Sequence, residues 1–161
     1  MSRTFNIFSA DEWESENDRE GYRHRVTAFG RRLGAKLLGA SLYELPAGEK
    51  TWPYHYEQGC EEWLLVVAGK PTLRSPDGEQ ALEPGAVVVF PEGPAGAHQV
   101  INNTAEPVRV VLFSSKSRRQ PRGPGWTASP TRLAGWPYGD ATDSLPPSVT
   151  SPMPSPRRRS R

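Results

Sequence analysis

A single cysteine, Cys60, stands in 161 residues, so no disulfide can form within the chain. Histidine is also sparse, at positions 24, 55 and 98 only. No apolar run approaches the length that spans a bilayer, the longest being residues 63–68, WLLVVA. The opening MSRTFNIFSADEWE has no apolar stretch of signal-peptide length, and together these features lead us to expect a cytoplasmic protein without a membrane segment. A large net charge is also missing: 20 Lys and Arg stand against 18 Asp and Glu, for +2. That near-balance hides two pieces of opposite sign. Residues 1–115 carry 11 basic and 16 acidic side chains, a net of −5, and residues 116–161 carry nine and two, a net of +7. The basic excess therefore belongs to a tail and does not mark a nucleic-acid-binding domain.

The tail also has few aliphatic residues and holds nine of the 17 prolines. Such a segment buries too little to offset a chain entropy of roughly 1–2 kcal/mol per ordered residue, and residues 116–161 are expected to be disordered. The remainder is long enough for one domain with a core. Residues 1–21 read as a polar amino-terminal arm anchored by Phe5, Ile7, Phe8 and Trp13, with one or two helical turns or short edge strands as the alternatives.

Between residues 22 and 115 the pattern is of strands. Short apolar or alternating runs at 22–29, 36–45, 62–68, 72–75, 80–82, 86–90, 98–101 and 108–113 are separated by Gly, Pro, Asn and Asp turns. Gly39 inside the second run suggests a bulge. Residues 50–56 are expected to be extended, and 76–79 to form a hairpin loop. No amphipathic helix of three turns stands out. The pattern is that of an all-β antiparallel sandwich or small barrel.

Chemistry concentrates in residues 48–69, GEKTWPYHYEQGCEEWLLVVAG. In an extended segment His55 and Glu57 share one face. A tight turn through Gln58, Gly59 and Cys60 then brings Glu62 back toward them, and His98 lies one turn-and-strand unit downstream. Imidazoles and carboxylates converging in this way can hold one metal ion. The neighbours have blander readings. Glu61 points to the opposite face from Glu62. Cys60 is a turn or packing residue, and His24 is structural or exposed. Tyr54, Tyr56 and Trp63 face away from the pocket, Phe90 and Val100 belong to the core, and Asn102 closes a turn. No Gly-rich phosphate loop, Cys-x-x-Cys pair, G-x-S-x-G elbow or aromatic-basic interleaving is present.

The two segments together resemble the cupin superfamily, and in particular small single-domain bacterial cupins. His55-Tyr56-Glu57 takes the place of the first motif's His-x-His, four residues precede Glu62, and six more precede Gly69. Gly85, Pro91, Gly93, His98 and Asn102 fill the second motif, with a longer gap before the histidine than is usual in the family. The resemblance covers about residues 34–114. It implies a double-stranded β-helix, the cupin jelly-roll barrel, over residues 22–115, and pairing into a homodimer through sheet edges. It also implies a divalent metal, Fe(II), Mn(II) or Zn(II), held by His55, Glu57, Glu62 and His98. A facial triad of His55, Glu62 and His98, with Glu57 behind it or axial, is the alternative. Glu57 stands where the family has a histidine. Such a protein is expected to act on or bind a small molecule, with dioxygenase, isomerase, epimerase and lyase chemistry all found among relatives. A non-catalytic ligand-binding or sensor module with a degenerate metal site is the competing expectation.

Overall fold

The computed structural model describes residues 3–115, and the tail expectation for residues 116–161 lies outside them. Nine strands alternate with tight turns: β1 (Ser15–Asn17), β2 (His24–Thr27), β3 (Leu38–Leu45), β4 (Glu62–Ala68), β5 (Thr72–Ser75), β6 (Gly78–Ala81), β7 (Val87–Phe90), β8 (Gln99–Ile101) and β9 (Val108–Ser115). One helical turn, α1 (Phe29–Arg32), follows β2, and a single 3₁₀ turn spans Pro94–Gly96. Every strand pairing is antiparallel, in a six-stranded sheet ordered β1-β2-β3-β9-β4-β7 and a three-stranded sheet ordered β6-β5-β8. The all-β expectation holds.

Period-two alternation decides what the barrel contains. Val108, Val110 and Leu112 of β9 and Leu64 and Val66 of β4 turn inward. They meet Leu73 of β5 and Val100 of β8 from the small sheet, with Leu45, Leu82 and Phe90 completing the core. Leu64 and Val100 are fully buried, and each such side chain contributes about 1.5–3 kcal/mol relative to exposure. Asn102 is buried at the end of β8, where its Nδ2 donates to the carbonyls of Leu45 and Glu106 and its Oδ1 accepts from Thr104. It closes the turn into β9, as its sequence position suggests.

The odd-numbered residues of β9 and the even-numbered residues of β3 form a second core on the outside of the large sheet. Ala40, Leu42 and Val111 are buried there with Phe29 of α1, and Phe5, Ile7, Ala10 and Trp13 of the arm pack over them. A charged clamp fastens this cover. Arg25, Glu44 and Arg109 are register neighbours on β2, β3 and β9. Glu44 is buried and paired with both arginines, with Arg109 Nε 2.7 Å from its Oε2. Burial raises the Glu44 carboxyl, but the two guanidinium groups outweigh that and hold it below its ordinary value. The same guanidinium carbons lie 5.1 and 5.5 Å from the Trp13 ring centre, and Arg109 also donates to the Ala10 carbonyl.

One local alternative is decided and two expectations change. Within the acidic stretch 11–20 the edge-strand alternative holds: Ser15–Asn17 form β1, because pairing with β2 through Ser15↔Val26 and Asn17↔His24 satisfies their backbone. No bulge occurs at Gly39, since β3 and β9 pair without interruption from Leu38↔Ser115 to Leu45↔Val108. The glycine instead makes room for Ser114, whose Oγ would lie 2.7 Å from a Cβ at position 39. The irregularity falls in β4, between Val66 and Ala68. Residues 50–56 do not form a continuous strand: two isolated bridges, Lys50↔Ile101 at the end of β8 and His55↔His98 just before its start, hold them in place, and the chain bends between them. Among the described residues no helix is long and apolar enough to cross a membrane.

Candidate metal centre

The second of those bridges makes the site. His55 and His98 sit directly opposite each other, exchanging backbone bonds of 3.2 Å (His55 N–H to His98 O) and 2.7 Å (His98 N–H to His55 O). Their rings consequently lie side by side, 4.7 Å between centres. Both are locked in the same way. His55 Nδ1 is 2.7 Å from the Pro53 carbonyl and His98 Nδ1 is 2.9 Å from the Gly96 carbonyl. A carbonyl only accepts, so each Nδ1 carries the proton and each Nε2 presents a lone pair. That tautomer leaves Nε2 free for a metal ion.

Glu62 is the first residue of β4 and points into the barrel, so its carboxylate reaches His98: Oε2 to Nε2 is 3.5 Å. One donor atom each from His55, Glu62 and His98 lies within 4.8 Å of the others. Two donors on one ion at about 2.0–2.2 Å are separated by roughly 3–4.3 Å, so small closures complete the set. Glu57 is also buried and borders the cluster on the His55 side, with Oε1 3.7 Å from His55 Nε2. It stands outside the mutual envelope of the other three donors. Its backbone carbonyl accepts from Gly93 N at 2.8 Å, tying the first histidine segment to the loop that precedes the second.

The electrostatics favour a cation. Burial, with the neighbouring Glu57 charge added, pushes the Glu62 carboxyl up to about 8. Burial, aided by the nearby His55, pulls His98 down to about 4, against the opposing bond to Gly96. The His98–Glu62 contact is therefore a neutral pair near pH 7 rather than an ion pair. A divalent ion restores the carboxylate and uses the free imidazole lone pair.

Two contributors were not visible in the sequence reading. Phe90, read as plain core, stacks on His98 with ring centres 3.7 Å apart and planes 5° from parallel. It arrives there because Phe90 is the register partner of Glu62. Gly96 supplies the carbonyl that fixes His98, and a Cβ at this position would lie 1.9 Å from the Pro91 oxygen. The recurring signal is a carbonyl two residues before each histidine. The remaining candidates fall outside the centre. Cys60 is buried with Sγ 4.0 Å from Glu57 Oε2, Glu61 is exposed and accepts from Trp63 Nε1, and Trp63 lies on the outer face. His24 is buried edge-on against Tyr43 and Trp52, with Nδ1 bonded to the Tyr22 carbonyl.

Comparison with known proteins gives these features a context. A cupin domain model, Cupin_2, matches residues 41–114. No curated protein matches the chain in sequence. Among solved structures, a candidate sugar phosphate isomerase of Acidithiobacillus ferrooxidans shares 26% identity at a TM-score of 0.56, over 60% of this chain and 61% of that one. The chain thus spans less than two thirds of that protein. A sugar phosphate isomerase of the cupin superfamily from Silicibacter pomeroyi shares 23% identity at a TM-score of 0.62, over 71% and 76%. The Cupin_2 domain of an XRE family transcriptional regulator from Enterobacter cloacae shares 18% at 0.50, over 59% and 98%. The last two are likenesses of fold. The β-barrel of this chain, with its paired histidines and inward glutamate, is a cupin-type domain.

Proposed function

We propose that this protein is a small metal-dependent cupin that acts on a small molecule at the ion. The observation that carries the reading is the convergence of His55, Glu62 and His98, with both imidazoles held in the metal-ready tautomer by backbone carbonyls. Fe(II), Mn(II) and Zn(II) all suit two imidazoles and a carboxylate, and we include Glu57 as the fourth protein donor. A bound divalent ion supplies Lewis acidity toward a substrate oxygen. The chain's own groups do the rest. Phe90 keeps the His98 ring in plane, and Leu64, Val100 and Leu112 keep the barrel interior apolar. The likeness to the Acidithiobacillus protein supports a hydroxy-carbonyl substrate, such as a sugar phosphate, and isomerase chemistry.

A second reading has its own support. The likeness to a regulator's cupin domain favours a ligand-binding module without turnover, its metal site degenerate at Glu57. We further infer a cytoplasmic homodimer. Trp63 of β4 and Val87 and Val89 of the terminal strand β7 are 45%, 58% and 45% exposed on the outer face, and pairing of two copies there would cover them.

The test is to load the protein with each ion and present a panel of aldose and ketose phosphates, following both binding and turnover by NMR, with His98→Ala as control. Turnover lost in His98→Ala supports the enzyme, and binding without turnover supports the module. Neither binding nor turnover with any ion refutes the small-molecule reading. Light scattering of wild type and Val87→Asp tests the dimer: a monomeric wild type refutes it.

A further inference from the structure

We propose that Glu57 tunes the ion preference of this centre, shifting it toward oxygen-seeking Mn(II) and Fe(II) and away from Zn(II). The inference rests on the metal-site reading above and concerns the one position where the chain departs from the His-x-His pattern. His55, Glu62 and His98 already form a complete three-ligand set for a tetrahedral zinc ion that takes water as its fourth partner. Glu57 adds a protein oxygen beyond that set. Its Oε1 is 3.7 Å from His55 Nε2, a separation two ligands of one ion adopt, yet it lies on the His55 side of the cluster rather than inside the three-donor envelope. A tetrahedral zinc ion takes it only by giving up that water, whereas an ion of higher coordination number adds it and keeps an open position. Manganese and iron accept five or six ligands and suit carboxylate oxygen, so the added donor narrows the advantage zinc has at a nitrogen-richer site.

Placement and charge agree. Glu57 is 5% exposed, and its carbonyl is held by Gly93 N while Cys60 Sγ–H approaches its Oε2, so the carboxylate stays in the pocket. Two carboxylates balance a divalent ion, whereas a histidine here would leave one positive charge uncompensated and offer a softer nitrogen that suits zinc.

The experiment is competitive titration of Mn(II) and Zn(II) against a fluorescent chelator, using the full chain as wild type, Glu57→Gln and Glu57→His. Far-UV circular dichroism and urea midpoints of the metal-free proteins report folding. We expect Glu57→Gln to weaken Mn(II) at least 10-fold with a change under threefold for Zn(II), and Glu57→His to raise the Zn(II)/Mn(II) affinity ratio at least 10-fold. If folded variants change both ions by one common factor, or neither, Glu57 does not tune the preference, while the His55–Glu62–His98 site stands. A wild type that binds neither ion overturns the site reading and this inference with it. Should one variant not fold, the other decides.

Discussion

Replacing Gly96 by alanine tests how His98 is positioned. The added Cβ would lie 1.9 Å from the Pro91 oxygen, 2.9 Å from its carbonyl carbon and 3.0 Å from its nitrogen. Those contacts are with backbone, so no side chain can swing aside. Relief to van der Waals distance requires the turn at Pro94–Gly96 and the Pro91 peptide to separate by more than about 1 Å. The same residue donates its N–H to Gly93 O at 2.9 Å and accepts the His98 Nδ1 proton at 2.9 Å. A shift of that size strains or breaks the imidazole bond and carries Nε2 out of line with Glu62. Overpacking of this kind costs about 1–3 kcal/mol of stability. Loss of the bond that orients a ligating histidine lowers metal affinity about 10–100-fold. Urea denaturation gives the first quantity and chelator competition the second. A Gly96→Ala protein with wild-type midpoint and wild-type affinity would refute the argument that this carbonyl holds His98 in register.

Other outcomes follow from the same geometry. Phe90→Ala removes a core ring that also stacks on His98, and should cost about 3–5 kcal/mol by urea denaturation, with weaker metal retention in the folded fraction. The stability of the metal-free domain should fall as pH rises from 6.5 to 8. Glu62, raised from 4.5 to about 8, keeps a proton in the folded state that the unfolded chain releases, so its effect is destabilising throughout that window. The opposing contribution of His98, lowered from 6.5 to about 4, is confined to pH below 6.5. The slope is at most about 1.4 kcal/mol per pH unit and should vanish in Glu62→Gln, and a wild-type midpoint that stays level or rises over this range would contradict it. Glu44→Gln should loosen the arm, costing about 1–2 kcal/mol by urea denaturation and exposing Trp13 to a fluorescence quencher, because two guanidinium groups lose their carboxylate partner.

The sequence carried the parts of this structure that depend on local spacing. Alternation and turn chemistry placed most strands, and the intervals between His55, Glu62 and Gly69 and between Gly85, Pro91 and His98, by their resemblance to the cupin motifs, named the candidate donors. What it did not carry depends on contacts between distant segments. Ser15–Asn17 has no strand propensity of its own and becomes β1 because β2 offers a free edge. Gly39 reads as a bulge until Ser114 is seen across from it. Phe90 looks like any core aromatic until the β4–β7 register sets it beside Glu62 and against His98. The position of Glu57 relative to His55, Glu62 and His98 is likewise a tertiary fact, fixed by the bend at residues 58–59 and by Gly93.

The most direct test of the central claim is the metal content of untagged protein, measured by elemental analysis before and after incubation with Fe(II), Mn(II) or Zn(II). Glu62→Gln and His98→Ala are carried in parallel. The convergence of His55, Glu62 and His98 predicts one ion per chain in wild type and loss of it in both variants. Wild type that holds no ion and takes none up would contradict it, as would stoichiometric metal that survives both substitutions.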